Sequence, residues 1–227
     1  MPIFTVQRKP QKEKEFTAYS RKEKSLGQLS KNFLEIFGKI EEKEVSLDLV
    51  TNALGVERRR IYDIINILES IEAVYRMGKN HYYWYGLSAI KKSINSHEKK
   101  ISENGLDFKD LQIAKSKEKS LGFLAVGFIR LFLGWKSIIT LDQAAEKLTH
   151  SSELHKLKTK IRRLYDIANV FLALGVIKKA YLSNRKPAFE WLGVVGLENM
   201  MKKMNIQVIK RNSKEDSSSN WHFPCTL

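Results

Sequence analysis

The chain has 227 residues, of which 43% are apolar and 29% are charged. That length fits two small domains better than one large domain, and the apolar share is sufficient for packed cores. The formal net charge of +15 favours polyanionic partners, with nucleic acid ahead of an anionic membrane.

Several classes of protein are excluded by what the sequence lacks. Cys225 is the single cysteine, so neither an intrachain disulfide framework nor a cysteine-based zinc site can form, and a reducing compartment is expected. No apolar run reaches the ~18 residues of a membrane span, and the N-terminus has no apolar core for a signal peptide. Without a phosphate-binding glycine loop, nucleophile elbow or paired-carboxylate motif, we expect neither an enzyme nor a bound cofactor or metal.

The first elements after a basic N-terminal arm, residues 1–17, are three helices. The first begins near Ser25 and has apolar residues at helical spacing, and the second begins after Ser46, a favourable N-cap residue. The third carries an apolar stripe spaced i, i+3, i+4, i+7 and i+10. This stripe consists of Ile61, Ile64, Ile65, Leu68 and Ile71.

Aromatic and β-branched runs follow the third helix on both sides of a Gly/Asn turn, which predicts a β-hairpin ending in Trp84. Three helices and a hairpin are the order of a winged helix. The predicted first domain is 18–87, and the polar residues 88–114 that follow it are predicted to be a linker that is partly helical at its start.

The same order of sequence blocks returns in the second half of the chain. Residues 22–37 recur as 117–132, and the segment RRRIYDIINILE recurs as IRRLYDIANVFL. We therefore predict an α+β protein with two tandem winged-helix domains, the second at 115–194, followed by a short helix and a disordered tail in 195–227. An insertion before Arg162 in the second copy is predicted to be a surface loop.

The third helix of each copy presents arginines away from its apolar stripe. On a helical wheel Arg59 lies almost opposite the stripe, and Arg162 occupies the same position in the second copy. This face of a helix-turn-helix enters the major groove, where arginine can bind guanine through two hydrogen bonds. The predicted double-stranded DNA-binding residues of the two helices are Arg59, Arg60, Tyr62, Asp63, Asn66, Arg162, Arg163, Tyr165, Asp166 and Asn169.

Asp63 and Asp166 follow their arginines at i+4, where a carboxylate can hold a guanidinium in one rotamer or accept a hydrogen bond from cytosine. The turns of the two hairpins and the arm before the first helix are further candidates for phosphate contacts. They contribute Lys79, Asn80, Arg185, Lys186, Arg21 and Lys22. A solvated polar turn is an alternative for the hairpins, and core packing is the main expectation for Trp84 and Trp191.

Both copies resemble the DNA-binding domain of the E2-factor/DP family of cell-cycle transcription factors. The resemblance depends on SRKEKSLGQLSKNFLEIF, RRRIYDIINILESIEAV and KNHYYWYG in the first copy. In the second it depends on KEKSLGFLAVGFIRLF, KLKTKIRRLYDIANVFLALGVIKK and RKPAFEWLG. Two such domains in tandem are similar to the atypical branch of the family.

This resemblance implies a nuclear transcription factor that binds TTSSCGC-type elements, represses cell-cycle genes and does not need a separate DP partner. The family's base-reading arginines correspond to Arg59, Arg60, Arg162 and Arg163. Two alternatives stay open: a family member that depends on a partner, and a winged-helix adaptor with only non-specific DNA affinity. The sequence also leaves open whether the chain forms a homodimer and whether residues 194–211 pack on the core or form an interaction seam.

Overall fold

The computed structural model describes residues 25–40, 42–105, 120–148, 154–182 and 187–216, with side chains of the last helix described to Asn205. Within those ranges, no helix has the length and apolar character needed to cross a bilayer. The same residues contain no cluster of His, Cys, Asp and Glu suited to a metal ion.

The first unit is a winged helix, as the sequence predicts. Its strands form an antiparallel sheet in the order β1-β3-β2. The elements in chain order are α1 (Leu26–Phe37), β1 (Lys43–Ser46), α2 (Leu47–Leu54), α3 (Arg58–Ser70), β2 (Val74–Gly78) and β3 (His81–Trp84). The predicted starts of the first two helices are confirmed, because Ser25 and Ser46 are their N-cap residues. Strand β1 was not predicted, since four residues with a single buried side chain give too weak an alternation.

The second unit repeats this order, and its sheet follows the order β4-β6-β5. A long helix follows the hairpin in each unit. The remaining elements are α4 (Leu87–Asn104), α5 (Leu121–Trp135), β4 (Ile139–Thr140), α6 (Leu141–Lys147), α7 (Leu154–Leu174), β5 (Ile177–Tyr181), β6 (Pro187–Trp191) and α8 (Gly193–Asp216).

Trp84 occupies the centre of the first core, as predicted. It is almost fully buried, its ring lies edge-on to that of Phe33, and its indole N–H donates to the carbonyl of Ile40 at 2.7 Å. Trp191 takes the equivalent place in the second unit but is only partly buried, stacked on Phe132 with ring centroids 5.6 Å apart. The two tryptophans therefore have the same position and different degrees of burial.

The two units share one hydrophobic core. Helix α1 packs along α7, and α5 packs along α3, so the first helix of each unit lies on the third helix of the other. Ile67 shows the effect on the sequence pattern. It lies beside the predicted stripe of α3 and not on it, yet it is fully buried, because α5 covers that side of the helix. The apolar stripe predicts only the side of α3 that faces its own unit, so it could not predict that Ile67 is buried.

The segment 88–114, predicted to be a polar linker with a helix only at its start, is helical as far as Asn104. Residues Leu87–Asn104 form α4, which packs against α5 and α8 and buries Leu87, Ile90 and Ile94. Its apolar positions recur at helical spacing, but the many lysines and serines between them conceal the pattern. Residues 106–119 lie outside the described part of the chain.

The predictions for the C-terminal region and for the insertion before Arg162 also need correction. Helix α8 is longer than the short helix expected, and it is a packing helix, since Leu197 is fully buried and Lys91 of α4 forms an ion pair with Glu198 at 2.6 Å. Within the insertion, residues from Leu154 onward are the first two turns of α7 and not a loop. Residues 217–227, predicted to be a disordered tail, lie outside the described residues.

Candidate nucleic-acid interface

An open groove of about 1040 Å³ lies where α3 and α7 face each other. It is lined by both predicted recognition helices together with the beginning of α5. Of the ten residues predicted on those helices, seven line this groove: Arg59, Arg60, Asp63, Asn66, Arg162, Arg163 and Asp166. The fold therefore places the two copies of the motif, about a hundred residues apart in sequence, on one surface.

The arginines of α3 differ in their contacts. Arg58 forms an ion pair with Asp48 of α2 at 2.6 Å, which joins the start of the recognition helix to the preceding helix. Arg60 forms an ion pair with Asp63 at 3.8 Å, at i+3. The Asp63 carboxylate thus pairs with Arg60 and not with Arg59, the i+4 partner that the sequence offered, and Arg59 is exposed.

Charges of opposite sign from both units meet in the groove. Burial raises the pKa of the Asp63 carboxyl, and Arg60 and Arg59 together with Arg163 of the other unit partly offset the rise. Burial raises the pKa of Asp166 in the same way, the Asp63 carboxylate adds to the rise, and arginines including Arg60 oppose it. Each aspartate is therefore influenced by an arginine across the groove, and the two motifs form one electrostatic unit.

Asn66 and Asn169 lie at the seam between the units. The backbone carbonyl of Asn66 approaches Gly122 so closely that a Cβ on Gly122 would lie 2.8 Å from its oxygen. On the other side, the Asn169 side chain is half-buried beside Gly27, where a Cβ would lie 3.5 Å away. Gly27 and Gly122 are the same residue of the repeated motif SLG, so the glycine lets each first helix approach the other unit's recognition helix.

Tyr62 and Asn80 contact each other. The Tyr62 hydroxyl donates to Oδ1 of Asn80 at 2.8 Å, and Asn80 takes a left-handed backbone conformation with φ of 63° in the hairpin turn. Tyr62 therefore fixes the wing to the recognition helix. Tyr165 is 41% exposed, and the wing turn of its own unit, residues 183–186, lies outside the described residues.

The remaining predicted residues divide into two groups. Lys79 is exposed in the first hairpin turn, where its ammonium group can reach phosphate. The other four, in the second wing and the N-terminal arm, lie outside the described residues: Arg185, Lys186, Arg21 and Lys22.

The structure adds groove residues that sequence reasoning missed. Arg130 of α5 and Thr159 of α7 both line the groove, and Lys158 is exposed on the added turns of α7. A signal for the added turns was present, since Leu154, Leu157, Ile161 and Leu164 follow one another at helical spacing. No signal marked Arg130, because its place beside α3 depends on how the units pack.

Comparison with known proteins agrees with the fold of two winged-helix units. The family model for the E2-factor/DP family winged-helix DNA-binding domain matches residues 22–86 and 117–193. The chain is 40% identical over 208 residues to the transcription factor-like protein E2FF of Arabidopsis thaliana, an alignment that covers 77% of this chain and 58% of the relative. It is 37% identical over 234 residues to "Transcription factor E2F7" of Mus musculus, covering 80% of this chain and 26% of the relative. The chain thus spans somewhat over half of the plant relative and about a quarter of the mouse relative.

Proposed function

Because the chain belongs to the E2-factor/DP family of winged-helix DNA-binding domains, we propose that it is a sequence-specific, double-stranded DNA-binding transcription factor. The observation that carries the proposal is the common groove, which Arg59, Arg60, Arg162 and Arg163 line from two helices. Two recognition helices side by side suit two adjacent half-sites of a single element. The element proposed is the GC-core TTSSCGC type, whose guanines match the paired hydrogen bonds of arginine.

The shared core supports a further part of this proposal, independence from a separate DP partner. Each unit's first helix packs on the third helix of the other unit, so one side of α3 is covered by the second unit of the same chain. We infer that this unit takes the place of a separate partner. The chain then supplies both halves of the reading surface. Action as a repressor of cell-cycle genes and a nuclear location belong to the same proposal, by similarity to the family. No catalytic activity forms part of it.

Selective binding tests the proposal most directly. The purified chain is titrated with a GC-core duplex and with a scrambled duplex of the same composition, each at two salt concentrations. We expect tight, selective binding by the chain alone. Each arginine that makes two hydrogen bonds to a guanine contributes ~1–3 kcal/mol of discrimination against the wrong base. Absence of tight binding without an added DP protein would favour the partner-dependent alternative. The adaptor alternative would be favoured if both duplexes bound with equal affinity and that affinity decreased steeply as the salt concentration rises.

Variants separate base reading from charge. Arg59→Ala and Arg162→Ala should each reduce the preference for the GC-core duplex by roughly 5- to 150-fold, the equivalent of ~1–3 kcal/mol. Lys79→Ala is the matched control, because it removes one positive charge from the wing and no base contact. It should lower the affinity for both duplexes alike, and it should reduce by about 1 the slope of the logarithm of affinity against the logarithm of salt concentration. Unchanged preference in both arginine variants would show that another face reads the DNA.

A further inference from the structure

The first sheet has an outward aromatic surface that the proposed DNA-binding role does not use. Along β3, Tyr82 and Trp84 face the core, so their neighbours Tyr83 and Tyr85 face away from the helices. Tyr75 of β2 lies directly opposite Tyr83 and is 59% exposed. We name this surface the tyrosine face; it consists of Tyr75, Met77, Tyr83 and Tyr85.

The second unit shows that the fold does not require these aromatic residues. The pairs Val74–Trp84 and Ile177–Trp191 occupy matching registers, and the next pair on the outward side is Tyr75–Tyr83 in one sheet and Lys178–Glu190 in the other. Lys178 and Glu190 form an ion pair across the strands at 3.0 Å. The same architecture therefore tolerates a charged pair where the first unit has two outward tyrosines, so the tyrosines need an explanation other than folding.

Charge around the tyrosine face is opposite to that of the chain as a whole. Glu44 of β1 lies directly across from Tyr83, and the exposed Glu42 precedes that strand. The amide of Tyr85 donates to the carbonyl of Ala73 at 2.9 Å, which holds Tyr85 at the end of the sheet beside β2. Lys43 and Arg76 are exposed basic residues of the same strands, but they alternate with the outward side chains, since Lys43 lies opposite Trp84 and Arg76 lies opposite Tyr82. On a chain of net charge +15, two carboxylates beside the tyrosines repel phosphate and attract cations.

We propose that the tyrosine face docks an extended, arginine-containing segment of a partner protein. A guanidinium group stacks on tyrosine rings through cation–π attraction and its planar surface, and it pairs with carboxylates through two parallel hydrogen bonds. The rings of Tyr83 and Tyr85 lie edge to face with centroids 5.0 Å apart, so they form one continuous surface. The face lies on the side of the sheet away from α3, so the partner segment and DNA bind at the same time.

The test uses a fluorescein-labelled peptide in which arginine alternates with glycine and serine, titrated against the full chain by fluorescence anisotropy. The main variant carries both Tyr75→Lys and Tyr83→Glu, which installs the pair that the second sheet already has. It should bind the peptide about tenfold more weakly and bind the GC-core duplex as the unchanged chain does. Tyr181→Ala is the matched control, since Tyr181 is a 90% exposed tyrosine of the second sheet, and it should leave peptide affinity unchanged.

Two further measurements distinguish a specific surface from general attraction. Glu44→Gln changes only an exposed side chain and should lower the affinity for the arginine peptide about threefold. This variant tests the proposal even if the double variant fails to fold. A peptide with lysine in place of arginine should bind more weakly than the arginine peptide. Equal binding of both peptides, or an equal loss in Tyr181→Ala, would overturn the proposal. Oligothymidylate, a single-stranded DNA, is titrated in the same way. If the parent protein bound it and the double variant did not, the proposal would be overturned, since the tyrosine face would then bind single-stranded nucleic acid.

Discussion

The two units carry the same RRxYD motif on helices of different length, and this changes what surrounds the arginines. Arg59 is the second residue of α3, whereas Arg162 is the ninth residue of α7. In the first unit the arginines therefore lie in the first turn of the helix, directly after the acidic N-cap residue Glu57, whose carbonyl accepts the Arg60 N–H at 3.1 Å. In the second unit the helix N-terminus is two turns away and is followed by Lys158. The same motif thus acts in two electrostatic settings.

The first helices of the two units, α1 and α5, also differ in their surroundings, and this shows in their content of charged residues. Helix α1 is amphipathic, with exposed Lys31 and Glu35, whereas Arg130 is the single charged residue in the fifteen residues of α5. The reason is position, because α5 packs on α7 of its own unit and also on α3 and α4 of the other. A helix enclosed on several sides becomes apolar around most of its circumference. The repeats are therefore similar in sequence order and unequal in burial.

The largest expected difference concerns the two tryptophans. Trp84→Phe should lower the free energy of unfolding by about 2–3 kcal/mol, because it leaves a cavity in a closed core and removes the donor to the Ile40 carbonyl. Trp191→Phe should cost about 1 kcal/mol or less, since Trp191 is partly exposed and Phe preserves the stacking on Phe132. Urea unfolding of both variants measures the difference, and equal losses would contradict the comparison.

The glycines of the seam give the next largest effect. Gly122→Ala places a Cβ 2.8 Å from the Asn66 backbone oxygen, which cannot move without moving α3, so we expect a loss of about 1–3 kcal/mol. Gly27→Ala meets the Asn169 side chain at an ordinary 3.5 Å and should stabilise the helix by up to ~1 kcal/mol. Thermal unfolding of both variants checks this. A Gly122→Ala protein as stable as the parent would mean that the seam is looser than the structure indicates.

Protonation of the two groove aspartates should alter DNA binding. Their pKa values are raised by burial, so the ionised form is the less favourable one in the folded state. Their contribution to stability is therefore greatest below the ordinary carboxyl pKa and is lost as the pH rises through the raised values. As the pH falls towards those values, proton uptake removes repulsion with phosphate, and affinity for any duplex should increase.

Asn substitutions give the matched test of this pH dependence. Asp63→Asn together with Asp166→Asn should raise affinity for the scrambled duplex roughly fivefold, equivalent to ~1 kcal/mol for charges a few ångströms apart, and should flatten the pH profile. Preference for the GC-core duplex should decrease, because the variant removes the carboxylate that pairs with Arg60. A pH profile as steep as that of the parent protein would assign the titration to other groups.

The smallest effect concerns the wings. Tyr62→Phe removes the hydroxyl that donates to Asn80 and should cost about 0.5–1.5 kcal/mol, with faster hydrogen exchange at the Lys79 and Asn80 amides. Tyr165→Phe is the control in the second unit, where the side chain is 41% exposed and removal of its hydroxyl should change the free energy of unfolding very little. Equal exchange rates in the parent and the Tyr62→Phe protein would show that the wing is held by other contacts.

The sequence by itself determined the local structure of each unit. Apolar spacing, caps and turn residues predicted the three helices and the hairpin, because these depend on residues a few positions apart. The helical wheel of α3 also placed Arg59 on the exposed side of that helix. The repeated RRxYD segment predicted a second helix of the same kind. The role of these residues in DNA recognition stays a prediction.

Only the tertiary structure decided how the units combine. The burial of Ile67, the close approach at Gly122 and the incorporation of α4 into the core were not predictable from spacing along one helix. Most of these contacts join residues far apart in sequence, and the period of a single helix carries no information about them. The physical reason is that a single apolar stripe predicts one buried face, whereas each recognition helix here is covered on two sides.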